Sequence, residues 1–237
     1  MALTQARKTA LEIASRRFLE ESVRLQAHRL WPDASPDHLG MLDIEKLCQA
    51  AGLAYDEADG FPTTFANRGK QFQVIGLLDT QRHLVLVDSN LPLAIKRFTA
   101  AHELAHYLLH AQRKGYIPHR ERPISEEERA RQDRCVLEQE ADYFASCLLI
   151  PRKLLQRHFE QIFGDISRPM VINEHVAHQI CPSAPHSMFE SAICRAIAVA
   201  GYRNVQMGRK HSLADTFKVS KQAMGWRLLE LGYVDWP

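Results

Sequence analysis

Paired cysteines, long apolar runs and a strong charge of either sign are all missing from this 237-residue sequence, and each absence argues against a class of protein. Cys48, Cys135, Cys147, Cys181 and Cys194 are odd in number and scattered, with no C-x-x-C pair, so a disulfide framework is not expected and a reducing setting is. No uncharged stretch approaches the ~18 residues needed to span a bilayer, and neither end shows an apolar signal core of about 7–15 residues. The expectation is a soluble, cytoplasmic chain without a membrane partner. Thirty Lys+Arg against 28 Asp+Glu leave a formal net charge of +2, too small to imply an electrostatic nucleic-acid partner, although the 12 histidines would raise it in mild acid.

What is present suits one good-sized globular unit, or a core with a small appendage: 46% hydrophobic and 24% charged residues. Leu3, Ala6, Ala10, Ile13, Ala14, Val23, Ala27 and Leu30 recur at helical spacing, predicting an amphipathic opening helix closed by Trp31-Pro32, with a break near Phe18 as an option. A second helix over Leu42–Ala51 ends at Gly52, and an extended segment starts at Leu53-Ala54-Tyr55. Phe72–Leu78 and Leu84–Asp88 flank Asp79-Thr80-Gln81-Arg82, the composition of a β-hairpin, and Asn90-Leu91-Pro92 then opens another helix. The segment Leu84–Val87 reads either as an ordinary core strand or as an edge that could pair with an extended peptide.

That next helix contains His102-Glu103-Leu104-Ala105-His106, the H-E-x-x-H pattern of zinc-dependent hydrolases. Random order at this composition yields the pattern about 0.04 times per chain, so its context has to carry weight. On a helix the two histidines lie one turn apart on one face, and both imidazoles can reach one tetrahedral ion about 2.0–2.1 Å away. Glu103 is offset toward the water such an ion would hold, which nominates it as general base. His110 shares the face but lies about 12 Å along the axis from His102, too far to join the same tetrahedron, so it reads as structural or rim-lining. Gln112 stands where a metzincin would place its third histidine, which excludes that arrangement.

Residues 111–124 are polar and punctuated by Gly and Pro, and Ser125-Glu126-Glu127-Glu128 then forms a capping box for a helix predicted to reach Ile150, before Pro151. Glu138, Glu140 and Asp142 enter this otherwise apolar helix. Burying such carboxylates without a metal or partner costs several kcal/mol, so each needs one or must face water.

Arg97-Phe98-Thr99 before the two histidines, then Glu138-x-x-x-Asp142 and Phe144-Ala145-x-x-Leu148-Leu149-Ile150-Pro151, resemble the ImmA/IrrE family of metallopeptidases. The resemblance is best over residues 84–151 and 212–233. It implies an α+β, mostly helical fold, with a zincin-like metallopeptidase core, a small β-sheet and a C-terminal helix-turn-helix-like element. The expected layout is N-terminal helices over 1–52, the core over 53–160 and a C-terminal helical region over 161–237. It further implies Glu138 as third zinc ligand, with Glu140 as runner-up, and Asp142 as the residue that fixes a ligand histidine, as in thermolysin-like zincins. Asp142 stands where family members often carry Asn. The implied activity is hydrolysis of a peptide bond with Zn2+ as cofactor, Mn2+ being an alternative in vitro, and with Glu103 moving the proton. The implied partner is a protein substrate, a helix-turn-helix repressor whose cleavage derepresses a stress, DNA-damage or phage-related operon. For the oxyanion, Tyr143 and the histidines of the 158–186 region are open alternatives.

Ser212 and Ser220 are natural N-caps for two short helices, with Asp215 completing a capping box after Ser212. Lys221, Gln222 and Arg227 are the polar and basic groups a recognition helix would use, so direct DNA binding is an alternative to a structural role. The competing functional class is accordingly a DNA-binding regulator or antitoxin-type module on an inactive zincin scaffold. His175, His178 and Cys181 could share a helix face, but core cysteines and surface histidines are expected there. Cys135 is read as buried packing, with a latent inhibitory thiolate as the alternative.

Overall fold

Helix α1 is continuous over Gln5–Leu30, running through Phe18 without the break that the sequence left open. The Ser22 hydroxyl donates to the Phe18 carbonyl at 2.7 Å, and Leu11 lies buried against Tyr143 and Cys147. The computed structural model describes residues 3–30, 42–59, 65–67, 70–110, 119–123, 135–203 and 211–235. These fall into two compact units whose boundary lies between Leu148 and Leu149. The fold is α+β and mostly helical.

In the first unit α1 is followed by α2 (Ile44–Ala50), whose N-terminal amides are capped by the Asp43 carboxylate, and Gly52 follows its end. Strands β1 (Ala54–Ala58), β2 (Phe65–Asn67), β3 (Lys70–Asp79) and β4 (Leu84–Asp88) come next, then helix α3 (Leu93–His110), β5 (His119–Pro123) and helix α4 (Val136–Leu149). β3 and β4 form the expected hairpin, with Asp79 opposite Leu84. β4 is an inner strand: it pairs in parallel with β1, Ala54 opposite Leu84, as well as antiparallel with β3. That settles the choice left open for Leu84–Val87 in favour of the core strand, because both of its hydrogen-bonding sides are taken. Val85 and Val87 are accordingly fully buried. On the far side of β3, β5 pairs antiparallel, with an irregularity between Val74 and Gly76. The sheet supports α3, and this packing places the histidine-bearing helix.

Helix α4 is described from Val136; the capping box proposed at 125–128 lies outside the described residues. Its inward positions, Ala141, Phe144, Ala145 and Leu148, are fully buried, as its apolar periodicity demands.

The second unit holds α5 (Arg152–Phe163), which Pro151 opens, α6 (Glu174–Ile180), a 3-10 turn over Pro185–Phe189, α7 (Ala192–Gly201), α8 (Leu213–Phe217) and α9 (Lys221–Glu230). Ser212 and Asp215 make the anticipated capping box, and Ser220 caps α9. The three residues between α8 and α9 include Lys218 in the left-handed region at φ 52°. Gly225 lets α9 approach α7 closely, since a Cβ there would sit 3.0 Å from the Ile197 backbone nitrogen. No helix among the described residues is long and apolar enough to cross a membrane.

Candidate metal centre

Ala100, Ala101 and Ala105 leave little side-chain bulk and Leu104 adds apolar burial, so α3 sinks into the unit and takes its polar residues with it. His102 and His106 are each 1% exposed and Glu103 is fully buried. The helical period brings the two Nε2 atoms to 3.0 Å from one another. From α4, the Glu138 carboxylate closes the triangle: Oε2 is 3.1 Å from His102 Nε2 and Oε1 is 3.2 Å from His106 Nε2. Among the described residues, His102, His106 and Glu138 form the one group of three ligand-bearing side chains that could hold a metal ion.

The donor set and its spacing fit a small divalent cation. Ligand atoms placed tetrahedrally about 2.0–2.1 Å from an ion are about 3.3–3.4 Å apart, a few tenths of an ångström wider than the triangle here. Two nitrogens and one carboxylate oxygen are a zinc-type set. Asp142 Oδ1 lies 2.9 Å from His102 Nδ1; an ionised carboxylate only accepts, so this nitrogen carries the proton and donates. In the neutral ring that binds metal, His102 Nε2 then keeps its lone pair, facing the Glu138 oxygen. Burial pushes His106 below the ordinary histidine range, and the neighbouring His102 adds to this, outweighing the opposing pull of Glu138. A neutral imidazole is the form that binds metal.

Glu140 does not join the triangle. Its carboxylate receives Arg7 Nε at 2.7 Å and Arg7 Nη2 at 2.8 Å, and it also meets His110 Nε2 at 2.9 Å. Hydrogen bonding from Arg7 holds its pKa below the usual carboxylate range, helped by His110 and opposed by burial. Residues two apart on a helix face different ways, whereas Glu138 and Asp142, four apart, face α3 together. His110 is buried rather than on a rim.

The sequence did not reveal Gly76. A Cβ built on it would lie 2.3 Å from Thr99 Cγ2, 3.4 Å from Glu103 Oε1 and 3.6 Å from Glu103 Cγ, so β3 passes directly beneath the Glu103 turn of α3. A lone Gly in an apolar β run was the available signal, as such residues mark close backbone approach.

Other readings change as well. Tyr143 packs with Leu11 and Cys147 and has Lys8 Nζ 5.2 Å from its ring centroid. His158 stands edge-on to Phe217 within the second unit. Cys135 is exposed, so the buried-packing reading fails, while Cys48 and Cys147 are buried. Arg227 is fully buried, its Nε donating to the Ile150 carbonyl at 3.3 Å, and is therefore no base-reading side chain. Its position on α9 faces the core, and a backbone carbonyl waiting there explains why an arginine occupies it. Lys221 and Gln222 remain exposed.

The sequence pattern of the IrrE N-terminal-like domain family, Peptidase_M78, matches residues 63–229, a span that contains the triangle, Glu103 and Asp142. No curated protein matches the chain.

Proposed function

The chain belongs to the IrrE N-terminal-like family, and from that premise we propose that it is a zinc-dependent endopeptidase that cuts a helix-turn-helix transcriptional repressor. The observation that carries the reading is the triangle of His102, His106 and Glu138 with a fully buried Glu103 within the same turn of α3. A divalent ion held by those three side chains would supply Lewis acidity, lowering the pKa of water toward ~7 and polarising a scissile carbonyl.

The chain's own residues then divide the remaining work. Glu103 takes a proton at its carboxylate and returns it to the leaving amine, a role worth about 10²–10⁴ in rate. Its burial keeps competing water away. Asp142 accepts the hydrogen bond from His102 Nδ1–H and so aims Nε2 at the site. Glu138 contributes negative charge, which balances part of a dication in a buried setting.

The repressor as substrate, the derepression of a stress or mobile-element operon, and the cytoplasmic setting rest on the family resemblance. The test is incubation of the chain and Zn2+ or Mn2+ with a purified helix-turn-helix repressor, using Glu103→Gln as control. A single specific cut by the wild type, none by Glu103→Gln, and equal zinc content in both are expected. Cleavage by the Glu103→Gln protein at the wild-type rate would sink the mechanism. Zinc retained by Glu138→Ala but lost by Glu140→Ala would overturn the ligand set.

A further inference from the structure

Behind His106 a line of hydrogen-bonding groups runs from the triangle to helix α1. His106 Nδ1 is 3.0 Å from His110 Nδ1, His110 Nε2 is 2.9 Å from Glu140 Oε2, and Glu140 is gripped by Arg7 through Nε at 2.7 Å and Nη2 at 2.8 Å. His106, His110 and Glu140 are all buried, so water does not compete for these bonds, while the Arg7 side chain is 44% exposed.

With His106 taken as a metal ligand through Nε2, the proton count along this line has one solution. Arg7 only donates and the Glu140 carboxylate only accepts, so His110 must present Nε2–H to Glu140. A His106 bound through Nε2 carries its proton on Nδ1, so His110 Nδ1, 3.0 Å away, is the acceptor. His106 thus donates from Nδ1, and its Nε2 lone pair is directed at His102 and Glu138. The chain is the counterpart, on the second histidine, of what Asp142 does for the first in one step.

We propose that His110, Glu140 and Arg7 are positioning residues for the metal centre: they fix the tautomer and ring orientation of His106 from helix α1, 99 positions earlier in the chain. The proposal rests on His106 being a metal ligand. Partners of ligand histidines of this kind are worth about 10–100-fold in metal affinity, and the direct member, His110, should show the larger effect. Arg7, two bonds further out and half-exposed, should show a smaller one.

The test uses the full-length chain and Zn2+ alone, with affinity read by competition against a chromogenic chelator and histidine tautomers read by long-range ¹H–¹⁵N correlation spectra. In the zinc-loaded wild type, His110 is expected as the Nε2–H tautomer and His106 as Nδ1–H. His110→Phe should weaken zinc binding by about 10–100-fold, Glu140→Gln by about tenfold and Arg7→Met by about threefold. An Nδ1–H tautomer on His110 overturns the relay even if the His110 variant fails to fold. Zinc affinities of Glu140→Gln and Arg7→Met equal to wild type overturn it too, leaving the metal reading intact. A wild-type chain that takes up no zinc overturns the metal reading and the relay together.

Discussion

Replacing Gly76 by alanine probes how tightly β3 is pressed against the helix that carries Glu103. The added methyl would lie 2.3 Å from Thr99 Cγ2, against about 3.5–4.0 Å for carbons in contact, so more than 1 Å of overlap has to be relieved. Thr99 is β-branched and helical, and its χ1 has few wells to move into. It is also fully buried, so strand or helix must shift. Overpacking of this kind costs about 1–3 kcal/mol, and the lower chain entropy of alanine returns about 0.4–1 kcal/mol where the backbone permits it. A net loss of about 1–2 kcal/mol is expected from urea unfolding, as a lower midpoint at an unchanged slope. Thr99→Ala removes the obstructing methyl, so the double variant should recover about 1–2 kcal/mol relative to the sum of the single changes. The methyl would also press on Glu103, and a displaced base should depress kcat more than it raises KM. Gly76→Ala within ~0.5 kcal/mol of wild type, or strict additivity with Thr99→Ala, would refute the contact.

Further outcomes can be checked with the same protein. Asp142→Ala should weaken zinc binding by about 10–100-fold, since His102 loses the acceptor that holds its Nδ1 proton; an unchanged affinity in chelator competition would count against that role. Adding zinc at about 100 times its dissociation constant should stabilise the metal-free chain by ~2.7 kcal/mol, and a melting curve that ignores both zinc and chelator would rule out a site on the native fold. Arg227→Met should cost about 1–3 kcal/mol, because the Ile150 carbonyl loses its buried donor; a fully stable variant with weakened, salt-dependent DNA binding would reverse the assignment. For Asp215, burial works against the charge, but Arg203 and the Ser212 hydroxyl and amide outweigh it and hold the carboxyl well below its usual range. A lowered folded-state pKa gives stability that is present above the unfolded value of about 4 and declines as pH falls further. Asp215→Asn should therefore be less stable than wild type at pH 7, with the gap narrowing on acidification below about pH 4; a constant gap in urea midpoints would exclude the linkage.

The parts of this architecture that were legible in the sequence are those fixed by local periodicity. His102 and His106 one turn apart, Glu138 and Asp142 one turn apart, the hairpin around 79–82 and the two serine caps near the C-terminus each follow from spacings of a few residues. The hidden parts depend on pairings that no local spacing encodes. β1 joins β4 in parallel across a long connection, so nothing adjacent to Leu84–Val87 announced that its second side is occupied. Arg7 and Glu140 meet across 133 positions. Arg227 carries a charge that sequence reading assigns to solvent, and the Ile150 carbonyl and the Glu230 carboxylate 3.6 Å from its Nη1 help make its burial tolerable.

The three carboxylates of α4 show how one helix serves a neighbouring helix in different ways. Glu138 and Asp142, four residues apart, present two carboxylates to the same face of α3: one meets the ligand edge of the histidine pair through both oxygens, the other the Nδ1 edge of His102. Glu140, between them in sequence, is rotated about 160° from Glu138 at ~100° per residue, and so cannot share that task. It turns instead to Arg7 of α1 and to His110, one turn past His106 on α3. A single alternation of acidic residues thus ties α4 to both helices, and the i, i+2, i+4 spacing decides which carboxylate goes where. Removing the charge at 138 while keeping Glu140, as in Glu138→Gln, should therefore leave the centre incomplete. Zinc stoichiometry would test this, since recovery of full binding by such a chain would mean that the helical phase does not set the ligand.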